Sequence, residues 1–439
     1  MATIHVNNGS LLVEFPEAEL ERELSVFNHE TREYEYLFTR SPGRDALVTM
    51  PGFAERAKSC CENSRILDER RPLPDPEEMS EDVLEVWRKP IGAAIKSGGG
   101  IVQIPSVLGM ARLVAEILRA YPKQNLVDRG TPISIIAVRD NESAKVLKEE
   151  LSNLLPGREI GRADSDDIIV TPYSSLDDVP RHLTGIFIGD LSGDVDPRKI
   201  VEGVSGFRSA ARWGVYETDT GGKPEVDLVT EGLFGQVVAS ASYADAVKAG
   251  LTIPITVCWL EVPQPPRQVL NEFKFQEANA TAENPGFIRM VSDIVRKVPG
   301  DVGCCVVADT VAAVKRLQDA NPALVTLETS MTKKERLRRT EDIESGVVRK
   351  FATTSDVCPS IKGVGVVISA SCRKTGQKLP WREKKRDGER AYVVDFLHKW
   401  DLHNGRPGHL GLGDKARERS YSEAGFSQLR VANVQKLPF

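Results

Sequence analysis

The stretch from Gly98 to Arg112 (GGGIVQIPSVLGMAR) is where this sequence comes nearest to a chemical device. A glycine-led apolar run passes through Pro105 and Ser106 into the helix-like MARLVAEILRAY, so a strand enters a turn and then a helix. That is the setting of a phosphate-binding loop, where backbone amides at a helix N-terminus face an anion. Taken alone it is no more than a strand, a turn and a helix.

Other chemistry is weaker. The seven cysteines are Cys60, Cys61, Cys258, Cys304, Cys305, Cys358 and Cys372. Their number is odd, two pairs are adjacent and no C-x-x-C occurs, which argues against a zinc site or a disulfide framework. Cys304 and Cys305 lie in the apolar run GCCVVAD and read as buried small hydrophobes. His398, His403 and His409 crowd near Asp395 and Asp401, where a solvated loop is the plainer account than a metal site. The acidic run Asp164, Asp166 and Asp167 has no Glu-x-Lys partner close by, so a capped strand start explains it better than a nuclease. No G-x-S-x-G elbow offers a serine nucleophile.

The elements that must position these residues are marked by punctuation. Residues 1–80 open with IHV and LLVEF and close with the linker-like RRPLPDPEEM, which reads as a small mixed α+β domain. From residue 81 short apolar runs alternate with helical stretches. The runs are Gly100–Ile104, Ile133–Val138, Ile168–Thr171, Ile186–Ile188 and Trp213–Tyr216. Leu113, Ile117 and Leu118 share one helical face, and Val146, Leu147, Leu151 and Leu154 share another. The rhythm restarts after VPQPPR, with Cys304–Ala308, Val364–Ser369 and Tyr392–Phe396 around the helix AAVKRLQDANPA. Such alternation predicts two α/β lobes with parallel sheets, whose ligands sit beyond the carboxyl ends of the strands.

Composition sets the outer bounds. With 439 residues, 41% hydrophobic and 28% charged, the chain suits two or three globular domains. A formal net charge of −5 gives no global positive field, so any nucleic-acid contact must come from local clusters. No apolar run reaches the length of a membrane span, and MATIHVNNGS lacks the layout of a secretory signal, so a cytoplasmic protein with no membrane partner is expected.

From about residue 81 to 426 the motifs then follow, in order, a known pattern. GGGIVQIPSVLGMAR, the strand and turn DDIIVTPYSSL, IFIGDLSG, Tyr216-Glu217-Thr218 after RWGV, the pair DLVTEGLFGQVV and YADAVKAGLTIP, CCVVADTVAAVKRL, KFATTSDV, QKLPWREKK, YVVDF and RERSYSEAGF together resemble the superfamily 2 DNA helicases of the repair and restriction-type branch. The resemblance implies two tandem RecA-like lobes, at residues 81–265 and 266–405, with a tail at 406–439 packing on the lobes. It also implies that the catalytic boxes are degenerate. On the family's G-G-G-I-V-Q-x-P-T-G-S-G-K-T pattern, Ser106 matches the first Thr and Gly109 the second Gly of the turn. Val107, Met110 and Ala111 replace the first Gly, the phosphate-gripping Lys and the metal-binding Thr. In the D-E-x-H box Asp190 is kept, Leu191 replaces the Glu and Gly193 the His. Arg382 matches the first arginine of the last box, and Lys385 replaces the second.

The resemblance therefore implies an inactive helicase-like protein that needs no cofactor and is not an enzyme. It would serve as a structural, DNA-binding subunit of a replication, recombination or repair complex, beside a paralogous active helicase, as a phage or mobile-element accessory protein does. Its DNA contacts would come from Arg139, Asn141, Thr171, Tyr173, Ser174, Thr353, Thr354 and Ser355, with the basic residues Lys333, Arg336, Lys384 and Lys385. The alternatives are an atypical ATP-dependent translocase, supported by Asp190 and Arg382, and an interaction module without a nucleic-acid role.

Overall fold

A computed structural model of the chain describes residues 2–7, 10–28, 33–61, 63–68, 75–77, 79, 83, 85–105, 108–121, 133–161, 167–179, 184–192, 200–201, 204, 211–218, 227–265, 273–328, 330–354, 364–372, 389–403 and 406–439. They form two compact units, one of residues 1–218 and 224–241, the other of residues 219–223 and 242–439.

The first unit begins with β1 (Thr3–Val6), β2 (Leu11–Glu14), α1 (Ala18–Glu23), β3 (Ser25–Asn28), β4 (Glu33–Tyr36), β5 (Phe38–Arg40), β6 (Ala46–Thr49), α2 (Ala54–Cys60) and β7 (Arg65–Asp68). Five strands make a sheet in the order β5-β6-β2-β1-β7, while β3 and β4 pair only with each other. In β1 and β2 every second residue is buried, so Ile4, Val6, Leu11 and Val13 meet Leu20, Leu24 and Phe53 in one small core.

The same unit continues with α3 (Glu85–Ser97), β8 (Gly100–Pro105), α4 (Met110–Ala120), β9 (Ile133–Val138), α5 (Asn141–Leu154), β10 (Ile160–Gly161), β11 (Ile168–Pro172), β12 (Thr184–Asp190), β13 (Ala211–Thr218), α6 (Leu228–Phe234) and β14 (Val237–Ser240). These strands form a seven-stranded sheet in the order β10-β11-β9-β12-β13-β8-β14, with every pairing parallel. A parallel sheet covered on both faces needs apolar strands, and β8 and β11 are buried along their whole length. On one face Ile101, Ile135, Ile169 and Phe187 pack with Leu233 and Phe234 of α6. On the other, Trp213 donates its indole N–H to the carbonyl of Ala94 in α3. Helix α4 is buried almost all round, as its apolar composition requires. In α5, Leu147 and Leu151 face inward as expected, but Val146 is 51% exposed, because the helix turns that position off its apolar stripe.

The small domain is tied to this lobe through α6. Arg56 donates from Nε and Nη2 to the two carboxylate oxygens of Glu231, at 3.1 and 2.7 Å, and from Nη1 to Glu23 at 2.8 Å. Gly52 lies so close to α6 that a Cβ there would fall on the carbonyl oxygens of Glu231 and Gly232.

The second unit contains α7 (Tyr243–Lys248), β15 (Ile255–Glu261), α8 (Phe273–Ala280), α9 (Pro285–Lys297), β16 (Gly303–Ala308), α10 (Val311–Ala320), β17 (Val325–Leu327), α11 (Lys333–Glu344), β18 (Lys350–Thr354), β19 (Val364–Ala370), β20 (Ala391–Leu397), β21 (Leu402–His403), β22 (Arg406–Pro407), α12 (His409–Glu423) and β23 (Ser427–Arg430). Its seven-stranded sheet runs β17-β18-β16-β19-β20-β15-β23, again all parallel. Side-chain caps set several helix starts: Asn284 ahead of Pro285, Thr310 and Thr332. Ser242 and Asp245 form a full capping box on α7.

Two expectations shift. The strand Ile255–Glu261, counted by sequence with the first lobe, pairs with β20 and β23 in the second sheet. The C-terminal segment expected as a tail supplies α12 and the edge strand β23, so it is part of this sheet's own core. Cys304 and Cys305 are buried strand residues, and burial pushes the Cys304 thiol up to about 12.

Candidate functional site

At the carboxyl edge of the first sheet, β8 leads to Gly109, whose φ of +75° lies in the left-handed region that glycine reaches without strain. Among the described residues nothing crowds a Cβ there, so conformation rather than space demands the glycine. Helix α4 then starts at Met110. A helix start leaves backbone N–H groups unpaired, together with a partial positive charge. Here the protein supplies its own anion: the Met110 N–H donates to Glu217 Oε1 at 3.1 Å. Glu217 sits near the end of β13, the strand next to β8, in register with Ile104. The Met110 and Ala111 side chains are both buried, at 7% and 5% exposure. Ser106 and Val107 lie outside the described residues.

The neighbouring strand end is tied to the backbone of the same glutamate. Asp190, the last residue of β12, accepts from the Ser192 N–H at 2.9 Å, and the Ser192 hydroxyl accepts from the Glu217 N–H at 2.7 Å. Tyr173 donates its hydroxyl to the Asp190 carbonyl at 3.0 Å. Burial raises the Asp190 carboxyl above the ordinary carboxylate range, while the Ser192 hydrogen bonds and the Arg139 charge pull it back. Leu191 turns the other way. Its N–H bonds to the Val215 carbonyl, and its side chain joins the apolar cluster with Phe187 and Phe234. An aliphatic group in that position cannot take a proton from water.

These residues do not fit a magnesium–triphosphate. The helix start already holds a carboxylate, position 110 has no cation, position 111 has no oxygen to ligate a metal, and position 191 has no base.

The residues expected to meet DNA separate into two groups. Arg139, Asn141 and Ser174 are exposed at the carboxyl ends of the adjacent strands β9 and β11. Arg139 also pairs with Asp140 at 2.9 Å. Thr171 and Tyr173 are buried, and the Tyr173 hydroxyl is spent on Asp190, so neither can reach a phosphate. Likewise Thr353 is fully buried and donates to the Leu327 carbonyl at 2.8 Å. Thr354 is buried, and its hydroxyl has no hydrogen-bond partner among the described residues. Arg336 is partly exposed on α11, beside the exposed Lys334 and Arg338. Ser355, Arg382, Lys384, Lys385 and the side chain of Lys333 lie outside the described residues.

One cluster was not read from sequence. Behind the carboxyl end of the second sheet, Cys372 Sγ lies 3.6 Å from His398 Nε2, and His398 Nδ1 lies 2.9 Å from Asp414. Arg417 joins Asp414 at 3.0 Å to Asp395 at 3.2 Å, and Tyr421 donates to Asp395 at 3.0 Å. His398 is therefore a buried residue held by a carboxylate, not part of a solvated loop. Burial raises the Cys372 thiol well above its ordinary range against the pull of Arg417. The Cys372 N–H points at Asp309, so a carboxylate occupies the place where an oxyanion donor would be needed for acyl transfer. The spacing that could have signalled this network is Asp414, Arg417 and Tyr421, at three and four residues apart on one face of α12.

No protein-family profile and no curated protein matches the chain. Solved structures do. A fragment described as an HsdR subunit of a type I restriction enzyme from Vibrio vulnificus YJ016 is 14% identical, over 97% of this chain and 78% of that one, with a TM-score of 0.52. UvsW of bacteriophage T4 is 14% identical over 98% and 99%, with a TM-score of 0.39. The helicase Lhr of Mycobacterium smegmatis, solved with single-stranded DNA and AMP-PNP, is 16% identical over 70% and 45%, with a TM-score of 0.41. At these identities the likeness concerns the fold alone. With the two parallel sheets described above, the likeness to the HsdR fragment makes this a chain of two tandem RecA-like α/β lobes preceded by a small α+β domain.

Proposed function

We propose that this chain is a catalytically inactive superfamily 2 helicase relative, a pseudo-helicase that acts as a structural, DNA-binding subunit beside an active helicase in a replication, recombination or repair complex. The observation that carries the inactive reading is the hydrogen bond from the Met110 N–H to Glu217. In a working motor of this fold the start of that helix faces phosphate, and here a side chain fills it. Met110, Ala111 and Leu191 point the same way, because each is buried apolar matter at a position the resemblance assigns to a cation, a metal ligand and a base.

Support for DNA comes from the exposed Arg139, Asn141 and Ser174 on adjacent strand ends, and from the basic surface of α11 around Lys334, Arg336 and Arg338. The overall charge of −5 restricts such contacts to these patches. Among the described residues no helix is long and apolar enough to cross a membrane.

Titration with a fluorescent ATP analogue and magnesium tests the first half of the proposal. No saturable binding is expected, and submicromolar binding that disappears on Asp190→Ala would establish the rival translocase instead. Binding to single- and double-stranded oligonucleotides across a salt series tests the second half. The expected affinity falls steeply with salt as counterions are released, and it drops on Arg139→Ala and on Arg336→Ala with Arg338→Ala. No binding of either form at low salt would remove DNA from the proposal. Co-expression with neighbouring genes that encode an intact helicase tests the partnership.

A further inference from the structure

The small N-terminal domain carries a feature that the lobes do not explain. Strands β3 and β4 form a two-stranded ribbon that pairs with no third strand among the described residues. A ribbon of two strands is marginal by itself in water and gains stability from another strand or a covering surface. Its base is fixed: the Leu37 N–H bonds to the Leu24 carbonyl, and Leu20 and Leu24 are fully buried in the domain core. Beyond that base the ribbon is exposed, with Tyr36 edge-on to Phe38 at 5.5 Å between ring centres. Tyr34 and Tyr36, two residues apart and so on one face, are 59% and 63% exposed. Across the strands Val26 stands opposite Glu35 in register, and it too is exposed.

Charge indicates what covers it. Residues 17–40 hold seven glutamates against three arginines, a net of −4 in a chain whose total is −5. In α1 the glutamates Glu19, Glu21 and Glu23 are paired with Arg22, Arg40 and Arg56, whereas on the ribbon the exposed Glu33 and Glu35 alternate with the two tyrosines. Such a surface repels a phosphate backbone. Exposed tyrosines at a protein surface are the residue type that anchors protein interfaces, and an unpaired strand is a template for an added one.

We propose that the β3–β4 ribbon is the docking element of the small domain, and that its occupant is a basic segment of a partner protein, added as a strand and anchored on Tyr34 and Tyr36. This site is independent of the start of α4 and stands whether or not the first lobe binds ATP.

Calorimetric titration of the full chain with a short alternating lysine–valine peptide tests it. The comparison uses Tyr34→Ser with Tyr36→Ser, and Glu33→Lys with Glu35→Lys. All four positions are exposed, and thermal unfolding checks that both variants remain folded. Salt-dependent binding to the wild type is expected, weaker by at least about tenfold in either variant, since loss of an aromatic anchor commonly costs more than about 1–2 kcal/mol. A matched glutamate–valine peptide and a single-stranded oligonucleotide should not distinguish the Tyr34→Ser/Tyr36→Ser variant from the wild type. No binding of the basic peptide, or equal binding to wild type and variants, overturns the proposal. So does a loss of oligonucleotide affinity on changing the tyrosines, which would make the ribbon a nucleic-acid surface.

Discussion

Glu217 Oε1 lies 3.1 Å from the backbone nitrogen of Met110, so a carboxylate on one strand caps the helix that follows the neighbouring strand. A lost side-chain cap costs about 0.5–2 kcal/mol. Glu217→Ala should therefore lower stability by that amount. Glu217→Gln should cost less, because its amide oxygen still accepts the bond and only the charge–dipole attraction of about 0.3–1 kcal/mol is lost. Urea unfolding of the three proteins measures the order. Equal midpoints for all three would show that the contact does not cap α4.

The resemblance to superfamily 2 helicases assigns the base of an active motor to the position that Leu191 holds. Restoring that base should not restore turnover. The side chain is 3% exposed and packed with Phe187 and Phe234, so Leu191→Glu places an unpaired carboxylate in an apolar cluster. The expected cost is about 3–5 kcal/mol, whereas Leu191→Met, close in volume, should cost under about 1.5 kcal/mol. Denaturation midpoints and a phosphate-release assay check the pair. A stable Leu191→Glu protein with ATPase activity would mean that the position is still a working site.

Much of this architecture was written in periodicity. Long apolar runs such as Ile133–Val138 became strands at those positions, because a parallel strand buried on both faces is built mostly of apolar residues, with Ser134 as a buried exception. What escaped had physical reasons. The strand Ile255–Glu261 is as apolar as its neighbours, but sequence does not say which sheet an apolar strand joins, and its pairing with β20 depends on contacts more than a hundred residues away. The hydroxyls of Tyr173 and Thr353 look available in a string of letters. Only the fold shows them turned onto the carbonyls of Asp190 and Leu327. The anion at the start of α4 was illegible for the same reason, since Glu217 and Met110 are 107 positions apart.

Asp140 gives the first lobe an acid-sensitive cap. Its side chain accepts from the Ser143 N–H at the start of α5 and pairs with Arg139, and the backbone hydrogen bond above all holds its carboxyl down at about 2. A carboxylate depressed in the folded state stabilises fully above its unfolded value of about 3.9 and loses that contribution as pH falls through the folded value. Asp140→Ala should therefore be less stable than wild type at neutral pH, by about 1 kcal/mol for a lost cap. The difference should shrink below about pH 4, as the wild-type carboxylate becomes protonated. Unfolding midpoints from pH 7 down to acid measure the gap, and a gap that stays constant into acid would show that the charge plays no part in the cap.

Arg417 lies in a buried group that also holds Asp395, Asp414 and Tyr421, at 1% exposure against 0% for Asp395. Burial opposes its charge, yet Asp395 and Asp414 together keep the guanidinium above its ordinary range. Removing it takes the guanidinium from two buried carboxylates, leaving Asp395 with Tyr421 and the Phe396 N–H and Asp414 with His398, and breaking a buried pair in this way costs about 3–5 kcal/mol. Arg417→Met should reach that range. Combining it with Asp395→Leu should recover part of the loss, because the second change removes one of the two carboxylates while keeping apolar volume. The pH response separates charge from packing. Burial already pushes Asp395 up in the intact protein, and without Arg417 its folded value must rise further, so the cost of ionising it grows as pH climbs above the unfolded value. The Arg417→Met defect should be smallest in acid and largest at neutral pH, and the double variant should lose most of that slope. If the single variant is equally destabilised across the pH range, or the double is worse than the sum of its parts, Arg417 holds α12 by its shape rather than by its charge.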